Sequence, residues 1–168
     1  PQTGEILDAS RIEAHSTTIK TLESSRVVVL AHQGRPGSSD FTTLEEHSRV
    51  LSKYLEKEVE YIDDIIGPAA RDRISRLKPG EVLMLENVRF LAEETLEFPP
   101  EKHANSWLVR KLSPLFDLFV NDAFAAAHRP HASLTGFPEV LPAVAGRVME
   151  KELRALSRVF ADGGRKKR

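Results

Sequence analysis

Three short runs hold the residue types best suited to chemistry. His32-Gln33-Gly34-Arg35-Pro36-Gly37 follows the apolar run 27–31, and Asn87-Val88-Arg89-Phe90 follows the run 82–86. Asn121-Asp122, and then Ala127-His128-Arg129-Pro130-His131, follow the run 117–120. If these apolar runs are strands of a parallel sheet, ligands bind just beyond their carboxyl ends. Three strand ends would then deliver an arginine to one edge. A single arginine is an ordinary surface side chain. Several guanidinium groups at one crevice repel each other unless an anion lies between them, and the planar fork of arginine matches phosphate and carboxylate oxygens. A small polyanion is therefore the implied ligand. Gly34 and Gly37 allow close backbone approach, and His32 and Arg35 add donors beside the first strand. His128 is equally compatible with a buried structural histidine and with a direct contact.

Other chemistries find little support in the chain. It contains no G-x-x-x-x-G-K-[ST] loop and no G-x-G-x-x-G after a strand, so no common nucleotide cradle is present and ATP is not expected on this piece. Neither an HExxH run nor a G-x-S-x-G elbow occurs, which leaves a catalytic metal or a serine nucleophile without a motif. Lys and Arg total 24 against 25 Asp and Glu, for a net charge of -1, which gives no global attraction to nucleic acid or to an anionic membrane. The tail Gly163-Gly164-Arg165-Lys166-Lys167-Arg168 reads as a solvated linker rather than a nucleic-acid arm. The absence of cysteine removes disulfides and thiolate metal sites, and fits a cytoplasmic protein. The longest apolar runs are strand-sized, far short of the roughly 20 residues of a membrane helix.

The elements that must position these groups alternate between strand-like and helix-like periodicity, as in stacked βα units. Strands are expected at 26–31, 58–62, 82–86 and 117–120, four as a minimum, apolar enough to be covered on both faces. Thr42-Thr43-Leu44-Glu45-Glu46 offers two overlapping capping boxes for a helix with Leu44, Leu51, Tyr54 and Leu55 on one stripe. Pro68 after Gly67 opens a second helix facing inward through Ile74 and Leu77, stopped by Lys78-Pro79-Gly80. A third carries Trp107, Leu108, Leu112 and Leu115, with Trp107 read as core and Pro114 ending or bending the helix. Met149, Leu153, Leu156 and Phe160 mark a last amphipathic helix in need of a partner. The fold class is α/β, a three-layer sandwich with a mainly parallel sheet covered by helices on both faces.

Taken in order, these motifs resemble phosphoglycerate kinase along nearly the whole chain. Residues 6–12, Ile-Leu-Asp-Ala-Ser-Arg-Ile, are similar to the family's Arg-Ile segment, and residues 31–36, Ala-His-Gln-Gly-Arg-Pro, to its Ser-His-Leu-Gly-Arg-Pro loop. Residues 85–90, 120–133 and 142–153 match the next three signatures. The resemblance implies a Rossmann-like domain that holds the glycerate in an enzyme exchanging a phosphoryl group between 1,3-bisphosphoglycerate and ADP. It further implies that Arg11, Arg35, Arg89 and Arg129 with His32 form a basic patch around 3-phosphoglycerate, lined by Gln33 and Gly34. Arg11 is the one implied in catalysis, since the matching family arginine lies beside the transferring phosphoryl group. Nothing in the spacing alone singles it out.

The departures carry expectations of their own. The family's first strand, ending in an Asp-Phe-Asn turn, should lie before Pro1, so the start of the chain reads as an internal cut. The Gly-Gly-Ala-Lys segment that opens the nucleotide domain has no good counterpart at the other end. Residues 1–148 are thus expected to form the substrate-binding domain, and 149–168 the start of an interdomain helix and linker. Magnesium with ATP or ADP would sit on the other, C-terminal domain, which is also the expected partner, and this piece alone would be inactive. Ala31, Gln33 and Ala125 replace the family's Ser, Leu and Gly without removing a charge. A non-catalytic, anion-binding regulatory module is the alternative reading.

Overall fold

The computed structural model describes residue 6 and residues 8–163; residues 1–5, Leu7 of the 6–12 motif and the basic tail 164–168 lie outside the described residues. The elements run α1 (Ser10–Lys20), β1 (Val27–Val29), α2 (Glu45–Leu55), β2 (Val59–Ile62), α3 (Pro68–Ser75), β3 (Val82–Leu85), α4 (Pro100–His103), α5 (Trp107–Leu112), β4 (Phe119–Asn121), β5 (Ala143–Ala145) and α6 (Arg147–Gly163).

All four residues of β3 are buried, because it is the middle strand of a parallel sheet in the order β1-β3-β2. Val28 and Glu60 both pair with Leu83. The strand's alternation divides the core in two. Val82 and Met84 face a cluster with Ile19 of α1, Leu44 at the start of α2 and Leu51 and Leu55 within it. Leu83 and Leu85 face the opposite cluster with Ile74 of α3, and Leu108, Val109 and Leu112 of α5. Helices thus cover both faces, the expected three-layer arrangement, and each fully buried leucine contributes roughly 1.5–3 kcal/mol.

The expected single sheet is instead two. β4 pairs in parallel with β5 in a separate sheet, with Val120 opposite Val144, while β1 and β4 are each left as an edge. Strand β5 adds a fifth strand that the sequence analysis does not contain; three residues, Ala-Val-Ala, are too short for an alternating pattern to stand out.

Two further expectations are corrected. Neither Thr42 nor Thr43 caps α2: Leu44 occupies the N-cap without a side-chain cap, and its N–H donates to Glu86 Oε1 at 3.0 Å. A carboxylate from the end of β3 therefore accepts the N-cap N–H, the bond that a capping box assigns to its own glutamate. Trp107 is 58% exposed, not core. It is the first residue of α5, after the Ser106 cap, so Leu108, Val109 and Leu112 take the inward face while its ring lies under Lys111 and Arg110. Pro114 does end the helix, in a single 3-10 turn at Ser113–Leu115.

Candidate functional site

Beyond β1 the chain turns sharply at Gly34, whose φ is +67°. A Cβ there would come within 2.5 Å of the Phe41 nitrogen and 2.6 Å of Asp40 backbone atoms, so only glycine lets the loop fold back on itself. The Ser38 hydroxyl closes the turn by accepting the Arg35 N–H at 2.9 Å and lies 2.5 Å from Asp40 Oδ1. That contact holds the Asp40 carboxyl below its ordinary range.

The end of β3 is bolted to this loop by Asn87, which is fully buried. Its Nδ2 donates to the carbonyls of Gln33 and Thr42, both at 2.8 Å, and its Oδ1 accepts the Arg89 N–H at 3.1 Å, capping the 3-10 turn Val88–Phe90. The Val88 N–H donates to the Ala31 carbonyl at 3.2 Å. Arg89 is consequently carried into the sheet edge and is only 6% exposed. Its Nη1 donates to the Gly34 carbonyl, whereas its Nε is buried without a partner. Burial, then the neighbouring Arg129 charge, lowers the Arg89 guanidinium, and Arg35 acts in the same direction. It stays charged, since guanidinium does not lose its proton in proteins.

The third arm begins at β4. Asn121 Oδ1 accepts the Ala123 N–H at 3.1 Å, a 3-10 turn covers Phe124–Ala126, and the Arg129 N–H returns to the Ala126 carbonyl at 2.9 Å. Arg129 is half-buried, and the chain then enters a π-helical turn at Ala132–Gly136. The His131 ring meets the His32 ring edge-on, with centroids 6.2 Å apart.

His32 reports the resulting field. Burial first, and then the charges of Arg89, His131, Arg129 and Arg11, push its imidazole down to about 4, so it is neutral near pH 7. Arg11 reaches this set from the first, exposed turn of α1. Arg35, exposed on the turn, acts on Arg89 instead. Among the described residues none of Arg11, Arg35, Arg89 and Arg129 makes an ion pair, nor do Arg71, Arg110 and Arg158, whereas Arg26, Arg49, Arg73, Arg76, Arg147 and Arg154 do. The Gln33 amide is engaged with Asp40 at 3.5 Å and His47 at 3.4 Å. His128 is exposed, which disposes of the buried structural reading.

Sequence reasoning passed over three groups that shape the site. Asn87 and His131 were visible within the motifs but lacked a charge-based reason for attention. Glu94, buried behind the arginines, had no signal beyond one carboxylate among many. Among the described residues no three His, Asp or Glu side chains gather as a metal site.

Comparison with known proteins gives this arrangement a context. The family model for phosphoglycerate kinase matches residues 1–167. The chain belongs to the phosphoglycerate kinase family. Phosphoglycerate kinase of Sulfurisphaera tokodaii is 55% identical over 161 residues, 95% of this chain but 39% of that protein. Phosphoglycerate kinase 2 of Methanosarcina acetivorans is 56% identical over 162 residues, again 96% of this chain and 39% of that protein. The crystal structure of phosphoglycerate kinase from Pyrococcus horikoshii superposes with a TM-score of 0.92 at 47% identity, covering 98% of this chain and 40% of that one. The chain therefore spans about two fifths of the length of the relatives it matches.

Proposed function

We propose that residues 1–148 are the substrate-binding domain of a phosphoglycerate kinase, which binds 3-phosphoglycerate or 1,3-bisphosphoglycerate while a phosphoryl group passes to or from ADP. The observation that carries this reading is the gathering of Arg11, Arg89 and Arg129 around a histidine held neutral, with Arg35 beside Arg89 and, among the described residues, none of the four in an ion pair. Such a set is costly without an anion and well matched to one carrying both phosphate and carboxylate oxygens. Arg89 and Arg129, anchored on strand-end turns, are suited to fixing the substrate. Arg11, exposed on a helix end, is suited to meeting charge that develops during transfer, where fixed positive charge lowers the barrier.

The chain carries neither of the common glycine-rich nucleotide cradles. In this reading ATP or ADP with magnesium is held by a C-terminal domain, and α6, from residue 149 onward, leads toward it. Support comes from the far half of α6, where Leu153, Leu156, Val159 and Phe160 are 44–76% exposed along one stripe. The decisive experiment is calorimetric titration of 3-phosphoglycerate into the polypeptide that carries this chain, and into its Arg129→Met variant. Binding lost in the variant is the expected result, and wild-type protein that binds no better than the variant would refute the assignment. Binding without turnover in that polypeptide would favour the regulatory-module alternative.

A further inference from the structure

Glu94 follows β3 by nine residues, in a 3-10 turn at Ala92–Thr95, and its side chain is completely buried. Its Oε2 accepts the Ser133 N–H at 2.8 Å, and its Oε1 accepts the Ser133 hydroxyl at 2.5 Å. The same Oε1 lies 3.6 Å from His131 Nδ1, within ion-pair range but longer than a hydrogen bond. That Nδ1 is itself buried with no other partner. Burial raises the Glu94 carboxyl above its ordinary range, while the two Ser133 hydrogen bonds and then the charge of Arg89 oppose that rise and favour the carboxylate. Next door, Glu93 accepts the Trp107 and Leu108 N–H groups and so pins the start of α5. Adjacent carboxylates therefore hold two different elements, and only Glu94 is out of water.

Burying a carboxylate is expensive, and an uncharged amide could satisfy Ser133 at lower cost. The charge must then serve something besides the serine. The nearest candidates are His131 and, beyond it, Arg89, both members of the basic cluster. We propose that Glu94 is a positioning residue for the glycerate site: it locks the turn that carries Arg129 and His131, and it holds His131 in the tautomer protonated at Nδ1, leaving Nε2 as the open ring nitrogen. His131 Nδ1–H then points at a fixed negative charge. The ring can accept a proton at Nε2 when an anion arrives, with its other edge already balanced. The consequence for 3-phosphoglycerate rests on the function proposed above; the tautomer does not.

The test uses the polypeptide that carries this chain, labelled with 15N in histidine. Two-bond proton–nitrogen correlations at pH 7 without ligand should show His131 protonated at Nδ1 in the wild type, and at Nε2 or as a mixture in Glu94→Gln. Ser133→Ala, which leaves the carboxylate, should keep the wild-type pattern. Titrated with 3-phosphoglycerate, Glu94→Gln should bind roughly tenfold more weakly, the size of one charge-assisted contact. His131 protonated at Nε2 in the wild type overturns the inference, as does a folded Glu94→Gln with the wild-type tautomer and affinity. Should Glu94→Gln fail to fold, the wild-type and Ser133→Ala spectra still decide. A wild type with the expected tautomer that ignores 3-phosphoglycerate would leave the inference standing and sink the glycerate site instead.

Discussion

Lowering the pH should destabilise this fold through His32 before its carboxylates are protonated. In the unfolded chain an imidazole takes up its proton near the ordinary value of 6.5; in the fold it does so only at about 4. Between those values the unfolded state binds more protons than the folded one, so stability falls as pH falls and recovers above about 6.5. From pH 7 to pH 5 the linkage amounts to about 1–2 kcal/mol, after discounting for a ring that is only partly shielded from solvent. His131 and His47 are also lowered, chiefly by burial, and add to the trend, so the His32 share has to be isolated by difference. Urea unfolding of wild type and His32→Asn at both pH values gives that difference. The wild type should lose about 1–2 kcal/mol more than the variant on acidification. Because part of the depression comes from Arg89, Arg129 and Arg11, saturating 3-phosphoglycerate should screen them, raise the imidazole and shrink the gap. Calorimetry in buffers of different ionisation enthalpy should then register proton uptake on binding near pH 5. Equal pH dependence in wild type and His32→Asn would refute the reasoning, and so would binding with no proton taken up.

In the enzyme that carries this chain, Arg11→Ala should lower kcat far more than it raises KM for 3-phosphoglycerate, while Arg89→Ala should chiefly raise KM; steady-state kinetics with matched losses in binding alone would remove the catalytic role from Arg11. The 168-residue chain by itself should transfer no phosphoryl group from Mg-ATP to 3-phosphoglycerate, because it contains neither of the common glycine-rich nucleotide cradles, and a coupled assay on pure protein checks this. Gly34→Ala should destabilise the fold by more than about 1 kcal/mol and weaken 3-phosphoglycerate binding, since a Cβ at positive φ collides with the Asp40–Phe41 backbone; denaturant unfolding and titration of the same sample measure both.

What was legible in the sequence was whatever periodicity or local chemistry encodes. The apolar run that becomes β3 could be read because burial on both faces demands continuous hydrophobicity, whereas β1 and β2, beside it at the edges, are only partly buried. Arg35, Arg89 and Arg129 could be placed near one edge because each follows such a run directly. Arg11 could not be placed that way, since it sits on a helix end and reaches the cluster only through the packing of α1 against the sheet; it entered by resemblance. Long-range polar contacts left no trace at all. Glu86 capping α2 across 42 residues and Glu94 holding Ser133 across 39 are invisible to any local rule, which is why Thr42 and Thr43 looked like caps. Trp107 misled for a related reason: helical spacing places it on a stripe, but only the position of the Ser106 cap decides which way the first residue of that helix turns.

These hidden contacts also explain how a cluster of like charges survives without paired carboxylates. A protein that neutralised each arginine with a surface acid would be easier to fold, yet an incoming anion would have to displace those acids and would gain little. Here the guanidinium groups are held from behind. Asn87 clamps two loops by their carbonyls, Gly34 offers its own carbonyl to Arg89, and Asn121 and Ala126 shape the turn before Arg129. All of these are neutral groups, so they fix position without quenching charge. Glu94, the buried acid beside the cluster, is bonded to Ser133 and lies 3.6 Å from His131 Nδ1. Burial first, and then the charges of Arg89, His131, Arg129 and Arg11, expel the proton of His32, and among the described residues the buried Arg89 Nε has no hydrogen-bond partner. An anion between the strand ends would offset those charges, so that part of the cost of gathering them is returned as affinity.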